Sequence, residues 1–500
     1  MIDVILQALG NLLTFENLIF ANIGIFIGII FGAIPGMNGN LAITVLLPFT
    51  FSLPTVPALL MLTAIFFGAN FGGSISAILI NTPGTNAAAA TLLDGYPLAS
   101  KHKRPRSALD MALIASTFGG LVSALCLLFF SPQISKVAMN FGPPEYFALS
   151  IFGLSIIASV SGKSIVKGLV SGGIGLLLSM VGLDSVSSST RFVFGNMFLY
   201  NGIKLMAVIL GVYAVTQLIE RISDRNSLVK ASKLEKTTNN DKLTIKEIKS
   251  TVPIMCKSSL IGSAIGAIPG TGGAIAAYIA YNEAKRGAKK GEKFGDGELK
   301  GIAAPESANN GATAATLIPL LTLGIPGDAV AATLLGAFTM QGLVVGPRLF
   351  ADSGPVVYAL LIGCVITQIF MLLQGKYLMP LFVKITHVPQ SLLTSLLMSM
   401  CCAGAFAIAN SIMDLYVMIA TGILAYVLNK LQFPPVPIVI GMVLGPIMET
   451  NLRNALVMSS GSASIFLTRP ISLGFLILTI IMIMLMKKGN KKVEESVEVA

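Results

Sequence analysis

Apolar runs long enough to span a membrane fill most of the 500-residue chain, and short polar or basic stretches separate them. The runs lack the polar and apolar alternation and the roughly ten-residue length of outer-membrane barrel strands. The pattern therefore predicts an all-α polytopic membrane protein with roughly 11–13 membrane segments. The apolar runs cover residues 18–50, 54–98, 108–131, 144–160, 165–183, 196–219, 253–283, 302–346, 355–375, 378–409, 412–429, 435–448 and 470–486.

Pro-Gly pairs interrupt several of these runs, which are too long for a single span of about 20 residues. Proline removes a backbone donor and glycine tolerates positive φ, so the pair unwinds a helix locally. We therefore expect interrupted helices or re-entrant hairpins at these places. The four pairs are Pro35-Gly36, Pro83-Gly84, Pro269-Gly270 and Pro326-Gly327.

The breaks occur in the same order in two parts of the chain. Gly-Ala-Ile-Pro-Gly at residues 32–36 recurs 234 residues later at 266–270, and further matches follow it. One of these pairs Ala-Asn-x-Gly at 69–72 with the same pattern at 308–311. We therefore predict a first repeat at about residues 20–100 and a second repeat at about residues 255–346.

Clustered basic residues predict the topology. Twenty-two of the 34 Lys and Arg lie in residues 101–106, 221–251, 285–300 and 487–492, which we expect to be cytoplasmic. The basic stretches 221–251 and 285–300 flank the first Pro-Gly segment of the second repeat, so both ends of that segment are expected on the cytoplasmic side. Residues 1–100 contain no Lys or Arg, so the matching segment of the first repeat is expected to begin and end on the outer side. The two repeats are therefore predicted to be inverted, as in secondary transporters. The predicted organisation is a first membrane half at 1–220, a cytoplasmic linker at 221–252, a second half at 253–486 and a cytoplasmic tail at 487–500.

Composition excludes several classes of protein. Hydrophobic residues make up 54% and charged residues 11% of the chain, where a soluble domain carries about 25% charged residues. The net charge of +11 lies in loops without interleaved aromatic residues, which argues against nucleic-acid binding. The five Cys and two His show no zinc or nucleophile spacing, so we expect no enzyme activity, no resident metal and no cofactor.

Residues around the breaks are the candidate binding site. A restarting helix points its first N–H groups into a polar cavity, which suits an anion, and the carbonyls that end the preceding helix suit Na⁺ or another small cation. We expect Na⁺ or H⁺ as the coupling ion. The alternative is that these side chains only cap helices or, for Asn309 and Asn310, bond between helices. The candidates are Pro35, Gly36, Asn38, Asn40, Asn81, Thr82, Gly84, Pro269, Gly270, Thr271, Asn309, Asn310, Pro326, Gly327 and Asp328.

Two acidic residues lie within or beside the spans, where ionisable groups are costly. Glu306 follows Pro305, and a role in capping the start of a helix is the preferred interpretation. Asp94 begins the sequence Asp-Gly-Tyr-Pro, where a turn role and a functional role are equally supported.

Several stretches resemble the TctA family, which comprises the large membrane subunits of tripartite tricarboxylate transporters. The resemblance covers residues 20 to about 450. The matching stretches are Gly-Ala-Ile-Pro-Gly at 32–36, Leu-Leu-Pro-Phe-Thr at 46–50, Gly-Gly-Ser-Ile-Ser-Ala-Ile-Leu at 72–79, Asn-Thr-Pro-Gly at 81–84, Asp-Gly-Tyr-Pro at 94–97, Phe-Gly-Pro-Pro-Glu-Tyr-Phe at 141–147, Ala-Pro-Glu-Ser-Ala-Asn-Asn at 304–310 and Leu-Leu-Thr-Leu-Gly-Ile-Pro-Gly at 320–327.

The resemblance implies a secondary transporter in the cell membrane that takes up di- or tricarboxylates or related organic anions. It also implies a cation gradient as the driving force, a small four-span membrane subunit as partner, and an extracytoplasmic solute-binding protein that delivers the substrate. The alternative function is a polytopic membrane enzyme or assembly scaffold, which the lack of a catalytic constellation disfavours.

Overall fold

The computed structural model describes residues 2–160, 164–184, 188–223, 241–385 and 390–498. Nearly all of the described chain is helical, which confirms the predicted all-α class. The chain forms two compact units. Unit 1 contains residues 1–135 and 226–395, and unit 2 contains residues 136–225 and 396–500. Each unit takes residues from both sides of the predicted linker, so the division into two membrane halves stays a prediction.

The first stretch of unit 1 contains the first repeat. The two Pro-Gly breaks of this repeat fall between helices, as predicted, and a helix restarts after each break. The last helix of this stretch runs past Ser135, where unit 2 begins. The helices are α1 (Ile2–Leu12), α2 (Phe15–Ala33), α3 (Gly39–Thr50), α4 (Thr55–Ile80), α5 (Ala88–Ser100) and α6 (Pro105–Ala138).

The first stretch of unit 2 combines helices with a short strand pair. The two strands are antiparallel and pair Gly182 with Arg191. A 3-10 helix spans Met197–Asn201, and a π-helical segment spans Leu210–Val215. The elements are α7 (Pro143–Val160), α8 (Ile165–Ser179), β1 (Gly182–Leu183), β2 (Thr190–Arg191), α9 (Leu205–Ile209) and α10 (Thr216–Ser223).

The second stretch of unit 1 contains the second repeat. Its first helix begins inside the predicted linker, at Ile245, and residues 224–240 of that linker lie outside the described chain. The two Pro-Gly breaks again fall between helices. The helices are α11 (Ile245–Gly266), α12 (Gly272–Arg286), α13 (Leu299–Thr313), α14 (Leu317–Leu323), α15 (Ala329–Met340), α16 (Leu349–Asp352) and α17 (Gly354–Ile385).

The remaining helices complete unit 2, except that the first turn of the first one belongs to unit 1. The final helix continues into the stretch predicted to be a tail after Met486. These helices are α18 (Gln390–Ala409), α19 (Ile412–Lys430), α20 (Val436–Met458), α21 (Ile465–Thr468) and α22 (Pro470–Glu498).

Six helical segments among the described residues are long and apolar enough to cross a membrane. Five shorter apolar helices accompany them, among them α3 and α15, which restart after Pro-Gly breaks. Together they define a polytopic membrane protein, although the predicted number of spans stays a prediction. The six segments are Phe15–Ala33, Thr55–Ile80, Pro105–Ala138, Leu205–Ile222, Gly354–Ile385 and Ile412–Lys430.

Glycines bring α2 and α4 into close contact. A Cβ added at Gly28 would overlap the carbonyl of Ile65, and one added at Gly32 would overlap the carbonyl of Ala69. Small residues spaced four apart let two helix backbones approach closely inside a membrane, where packing replaces the hydrophobic effect. These two glycines therefore set the register between α2 and α4.

The second repeat has the same crossing between α11 and α13. A Cβ at Gly262 would overlap the carbonyl of Ala308, and one at Gly266 would overlap the carbonyl of Ala312. Gly262 and Gly266 lie 234 residues after Gly28 and Gly32, at the offset predicted from the sequence. The two repeats therefore share one helix-crossing geometry as well as one order of breaks, and their inversion stays a prediction.

The crossing corrects one sequence match. Ala308 takes the place of Ile65, so α4 and α13 correspond at an offset of 243 residues. The predicted equivalence of residues 69–72 with 308–311 is thus wrong by four residues, about one helical turn. The reason is that glycine packing, and not the local Ala-Asn pattern, fixes the register. Asn309 therefore corresponds to Phe66, and Thr313 corresponds to Asn70.

Candidate functional site

The first break joins α2 to α3 through residues 34–38. Gly36 adopts a left-handed φ of 74°, which glycine accommodates without strain. Asn38 caps α3, because its Oδ1 accepts a hydrogen bond of 2.9 Å from the N–H of Leu41. Asn38 therefore has the helix-capping role that was the alternative to ligand binding, and its Oδ1 is already used by the first turn of α3.

Asn40 lies in the first turn of α3 and is buried. Its Oδ1 accepts a hydrogen bond of 2.6 Å from the hydroxyl of Thr333 on α15. A second bond between the repeats runs from Nδ2 of Asn70 to Oγ1 of Thr313 at 2.8 Å. Polar side chains therefore connect the two repeats inside unit 1.

The second break follows α4 and packs against the first. Asn81 ends α4 with a left-handed φ of 55°, and the Thr82 hydroxyl donates to the carbonyl of Ile80 at 3.3 Å. The N–H of Gly84 donates to the carbonyl of Gly73 at 3.2 Å. A Cβ at Gly84 would overlap the carbonyl of Gly32, near the end of α2, so this position requires glycine.

The two breaks of the second repeat are bonded to each other. The N–H of Gly270 donates to the carbonyl of Gly327 at 2.7 Å, with Gly270 at a φ of 85°. The Thr271 hydroxyl donates to the carbonyls of Ile265 and Ile268 at 2.5 and 2.9 Å. Residues 268–271, which include Pro269, therefore lie beside residues 326–328, which include Pro326.

The helices that restart after these two breaks differ in how their first N–H groups are satisfied. Asp328 caps α15, and its Oδ1 accepts from the N–H of Ala331 at 2.7 Å. At the start of α12, Thr271 makes no side-chain cap, because its hydroxyl bonds to α11 instead. The N-terminus of α12 is therefore left without a capping side chain and suits a bound anion.

Asn309 faces this N-terminus. It lies on α13 with 1% of its surface exposed, and neither of its side-chain polar atoms has a hydrogen-bond partner. A Cβ added at Gly273, in the first turn of α12, would lie 2.5 Å from Oδ1 of Asn309. A buried amide without partners costs free energy, so a polar ligand beside this helix start would supply the hydrogen bonds that Asn309 lacks.

Asn310 has a different environment. Its Nδ2 donates to the carbonyl of Glu306, one turn earlier in α13, at 3.2 Å. Of the two neighbouring asparagines, Asn309 is therefore the better ligand candidate. Whether these residues or those at the other breaks bind a ligand stays a prediction.

Glu306 does not cap a helix, and the preferred interpretation of this residue is wrong. It lies inside α13, which begins seven residues earlier at Leu299. Its side chain is fully buried. Three hydroxyl groups surround its carboxylate. Ser74 and Thr91 each donate to Oε1 at 2.5 Å, and Ser116 donates to Oε2 at 2.7 Å.

Asp94 anchors a loop and does not lie in a turn. It is buried within α5, where its Oδ2 accepts from the hydroxyl of Tyr281 at 2.9 Å. Its Oδ1 accepts from the N–H groups of Gly295, Gly297 and Glu298 at 2.8, 2.9 and 2.8 Å. These bonds fix the loop that leads into α13, so the structural role accounts for this carboxylate.

The hydroxyl groups that surround Glu306 could not be predicted from the sequence. Ser74, Thr91 and Ser116 lie 232, 215 and 190 residues from Glu306, so no local spacing signals their contact. In the described ranges, no group of three or more His, Cys, Asp or Glu side chains could hold a metal ion.

Interrupted helices, paired breaks and a buried unpartnered amide define a polytopic membrane protein of the kind that carries solutes. The model of the tripartite tricarboxylate transporter TctA family matches residues 18–440. The chain therefore belongs to the TctA family, a family of transporter components, as the resemblance predicted.

Two relatives extend this result. An uncharacterized 52.8 kDa protein in the TAR-I ttuC' 3'region of Agrobacterium vitis is 35% identical over 464 residues, which cover 93% of this chain and 92% of the relative. An uncharacterized protein in the TAR-II ttuC' 3'region of the same organism is 36% identical over 224 residues, which cover 45% of this chain and 93% of the relative. No solved structure matches the chain.

Proposed function

We propose that this protein is the large transmembrane subunit of a tripartite secondary transporter that takes up di- or tricarboxylates or related organic anions. The observation that carries the proposal is the pairing of an uncapped helix start with an unpartnered buried amide. The N-terminus of α12 and the side chain of Asn309 meet beside the bonded breaks at Gly270 and Gly327.

This arrangement suits a carboxylate group. The first N–H groups of α12 and the helix dipole favour negative charge, and Nδ2 of Asn309 adds a neutral donor. Asn309 occupies the place that Phe66 has in the first repeat, since Gly39 faces Phe66 as Gly273 faces Asn309. The polar member of this pair lies in the second repeat, so we propose that the carboxylate binds there.

The basic residues near the breaks do not compensate the charge of a bound anion. Residues 1–100 contain no Lys or Arg. Lys257 on α11 forms an ion pair with Glu283 at 2.9 Å, and 54% of its side chain is exposed. Because a multivalent anion needs more positive charge than one helix start supplies, a co-bound Na⁺ or H⁺ compensates the rest. A cation gradient then drives uptake.

The proposed assembly follows the family description of a tripartite transporter. A small four-span membrane subunit and an extracytoplasmic solute-binding protein are its partners, and the binding protein delivers the anion. The complex lies in the cell membrane. The basic loops and the C-terminal tail face the cytoplasm, because Lys and Arg are retained on that side.

Uptake by the reconstituted complex tests the proposal. Proteoliposomes that contain all three components receive labelled citrate, succinate or malate outside and a Na⁺ or pH gradient across the membrane. The expected result is accumulation of at least one anion that stops when both gradients are removed. Product formation without accumulation, or no gradient-dependent uptake of any of the three anions, would contradict the proposal.

A further inference from the structure

The carboxylate of Glu306 lies in an unusual environment for a membrane helix. It is fully buried, and its hydrogen-bond donors are the hydroxyls of Ser74 on α4, Thr91 on α5 and Ser116 on α6. A buried carboxylate is costly unless a cation pairs with it or a proton neutralises it. Each hydroxyl contacts a carboxylate oxygen directly at 2.5 to 2.7 Å, which leaves no separation for a metal ion between them.

Hydroxyl groups are suited to a carboxyl group that gains and loses a proton. A serine or threonine hydroxyl can donate or accept, so one set of partners can satisfy both protonation states. When Glu306 is ionised, all three hydroxyls donate to it. When it is protonated on Oε2, the new O–H donates to Oγ of Ser116, whose own hydrogen turns to a carbonyl one turn back in α6.

The position of Glu306 connects this proton to the proposed anion site. Glu306 and Asn309 are three residues apart on α13, about 4.5 Å along the helix axis. Asn310, which follows Asn309, also contacts Glu306, because its side chain donates to the backbone carbonyl of Glu306. An ionised Glu306 therefore repels an anion bound at Asn309, and a protonated Glu306 does not.

We infer that Glu306, held by Ser74, Thr91 and Ser116, is the proton-binding site that couples anion uptake to a pH gradient. This inference rests on the proposed function, since it names the coupling ion of the same site. Binding of the anion and binding of the proton favour each other by the same factor. At a separation of about 6 Å and an effective dielectric constant of about 20, removing the repulsion strengthens binding by roughly 100-fold per substrate charge.

The helices around Glu306 differ in the charged groups that they carry. Helix α4 carries no Asp, Glu, Lys, Arg or His at all. Several groups on the other helices are bonded locally, namely Asp94 on α5 with Tyr281 on α12, Asp110 with Arg106 on α6, Lys257 and Arg286 with Glu283 on α12, Glu247 on α11 with Arg104, and Lys300 on α13 with Glu292. The remaining charges on α6, α11 and α12 are Lys136, Lys246, Lys249 and Lys285, which lie near helix ends. None of these charged groups is among the three hydrogen-bond donors to the Glu306 carboxylate.

Infrared spectroscopy of the purified full-length protein tests the site without any substrate. The wild type should show a protonated-carboxyl C=O component that grows on going from alkaline to acidic buffer and that is missing in Glu306→Gln, while the components from the other acidic side chains remain. The matched control Glu298→Gln, the same change at the start of the same helix, should keep the band. If Glu306→Gln does not fold, Ser116→Ala and Thr91→Val must shift the band, because each removes one hydroxyl partner. A band that none of these variants changes would overturn the inference.

Transport by the complete complex provides the second test, with labelled succinate as probe and a pH dye inside the vesicles. Wild type should take up protons together with succinate, while Glu306→Gln should exchange succinate across the membrane without proton uptake or pH-driven accumulation. Succinate accumulation by wild type with Na⁺ alone and no proton uptake would overturn this inference and leave the proposed function standing. Absence of uptake of any organic anion by wild type would instead contradict the proposed function, and the infrared result would still decide whether Glu306 titrates.

Discussion

The N–H of Gly270 donates a hydrogen bond of 2.7 Å to the carbonyl of Gly327, and this bond joins the two Pro-Gly breaks of the second repeat. Backbone that has left a helix inside a membrane must find partners, because an unpaired N–H or C=O costs several kcal/mol there. Here the N–H of Gly270 in one break is paired with the carbonyl of Gly327 in the other. The start of α12, which has no capping side chain, then remains beside the unpartnered amide of Asn309, and this is where we propose that the anion binds.

The glycine crossing of α2 and α4 should control stability. Gly32→Ala places a Cβ against the carbonyl of Ala69, so we expect a loss of about 1 to 3 kcal/mol, seen as a lower thermal midpoint in detergent. The matched control is Gly474→Ala in α22, where nothing lies within 4 Å of an added Cβ. An equal midpoint for the two variants would contradict the close crossing.

The order of helices and breaks could be predicted from the sequence, because the cause is local. Proline and glycine act on their own turn, and an apolar run of given length predicts a span wherever it lies. The residue-by-residue correspondence between α13 and α4 could not be predicted, since it depends on where Gly262 and Gly266 pack against α13. The same holds for Glu306, whose three hydroxyl partners come from distant helices.

Asp94 should control the order of the loop at residues 287–298. Asp94→Ala removes the acceptor of three backbone N–H groups and of the Tyr281 hydroxyl, where a bond to a charged group contributes about 1.5 to 3 kcal/mol. We expect faster tryptic cleavage at Lys289, Lys290 or Lys293. The control Asp352→Ala should be cleaved at the wild-type rate, and an unchanged rate in Asp94→Ala would contradict the anchoring role.

Glu247 should make stability depend on pH. It begins α11 outside the apolar part of that helix, and it bonds to Arg104 at 2.9 Å and to Thr244. Partial burial raises the pKa of the Glu247 carboxyl, but the hydrogen bonds from Arg104 and Thr244 lower it by more, to about 2. A lowered folded-state pKa means that the stabilisation is present above the ordinary value of 4.5 and is lost as the pH falls towards 2.

The variant Glu247→Gln checks this sign. At neutral pH it should be less stable than wild type by about 1 to 2 kcal/mol, after allowance for solvent screening of a partly exposed pair. The difference between the two thermal midpoints should shrink as the pH is lowered through 4.5. A difference that stays constant from neutral to acidic pH would contradict the assignment of the ion pair.

The clustered basic loops should be inaccessible from outside the cell. In a background without the five native cysteines, single cysteines in place of Lys103, Lys246 and Lys289 should react with a membrane-impermeant reagent only after the cells are opened. Cysteine in place of Lys488 tests the tail in the same way. Labelling of any of these positions in intact cells would overturn the proposed orientation.

The central claim is that an organic anion is bound by the start of α12 and by Asn309, without a basic side chain. Equilibrium binding of labelled citrate and succinate to the purified complex, compared among wild type, Asn309→Ala and Lys257→Ala, tests it most directly. Loss of a hydrogen bond to a charged group, worth about 1.5 to 3 kcal/mol, should weaken binding about 10- to 150-fold in Asn309→Ala. Lys257→Ala should bind like wild type, because this lysine is paired with Glu283. Unchanged affinity in Asn309→Ala, or a loss of binding in Lys257→Ala, would contradict the claim.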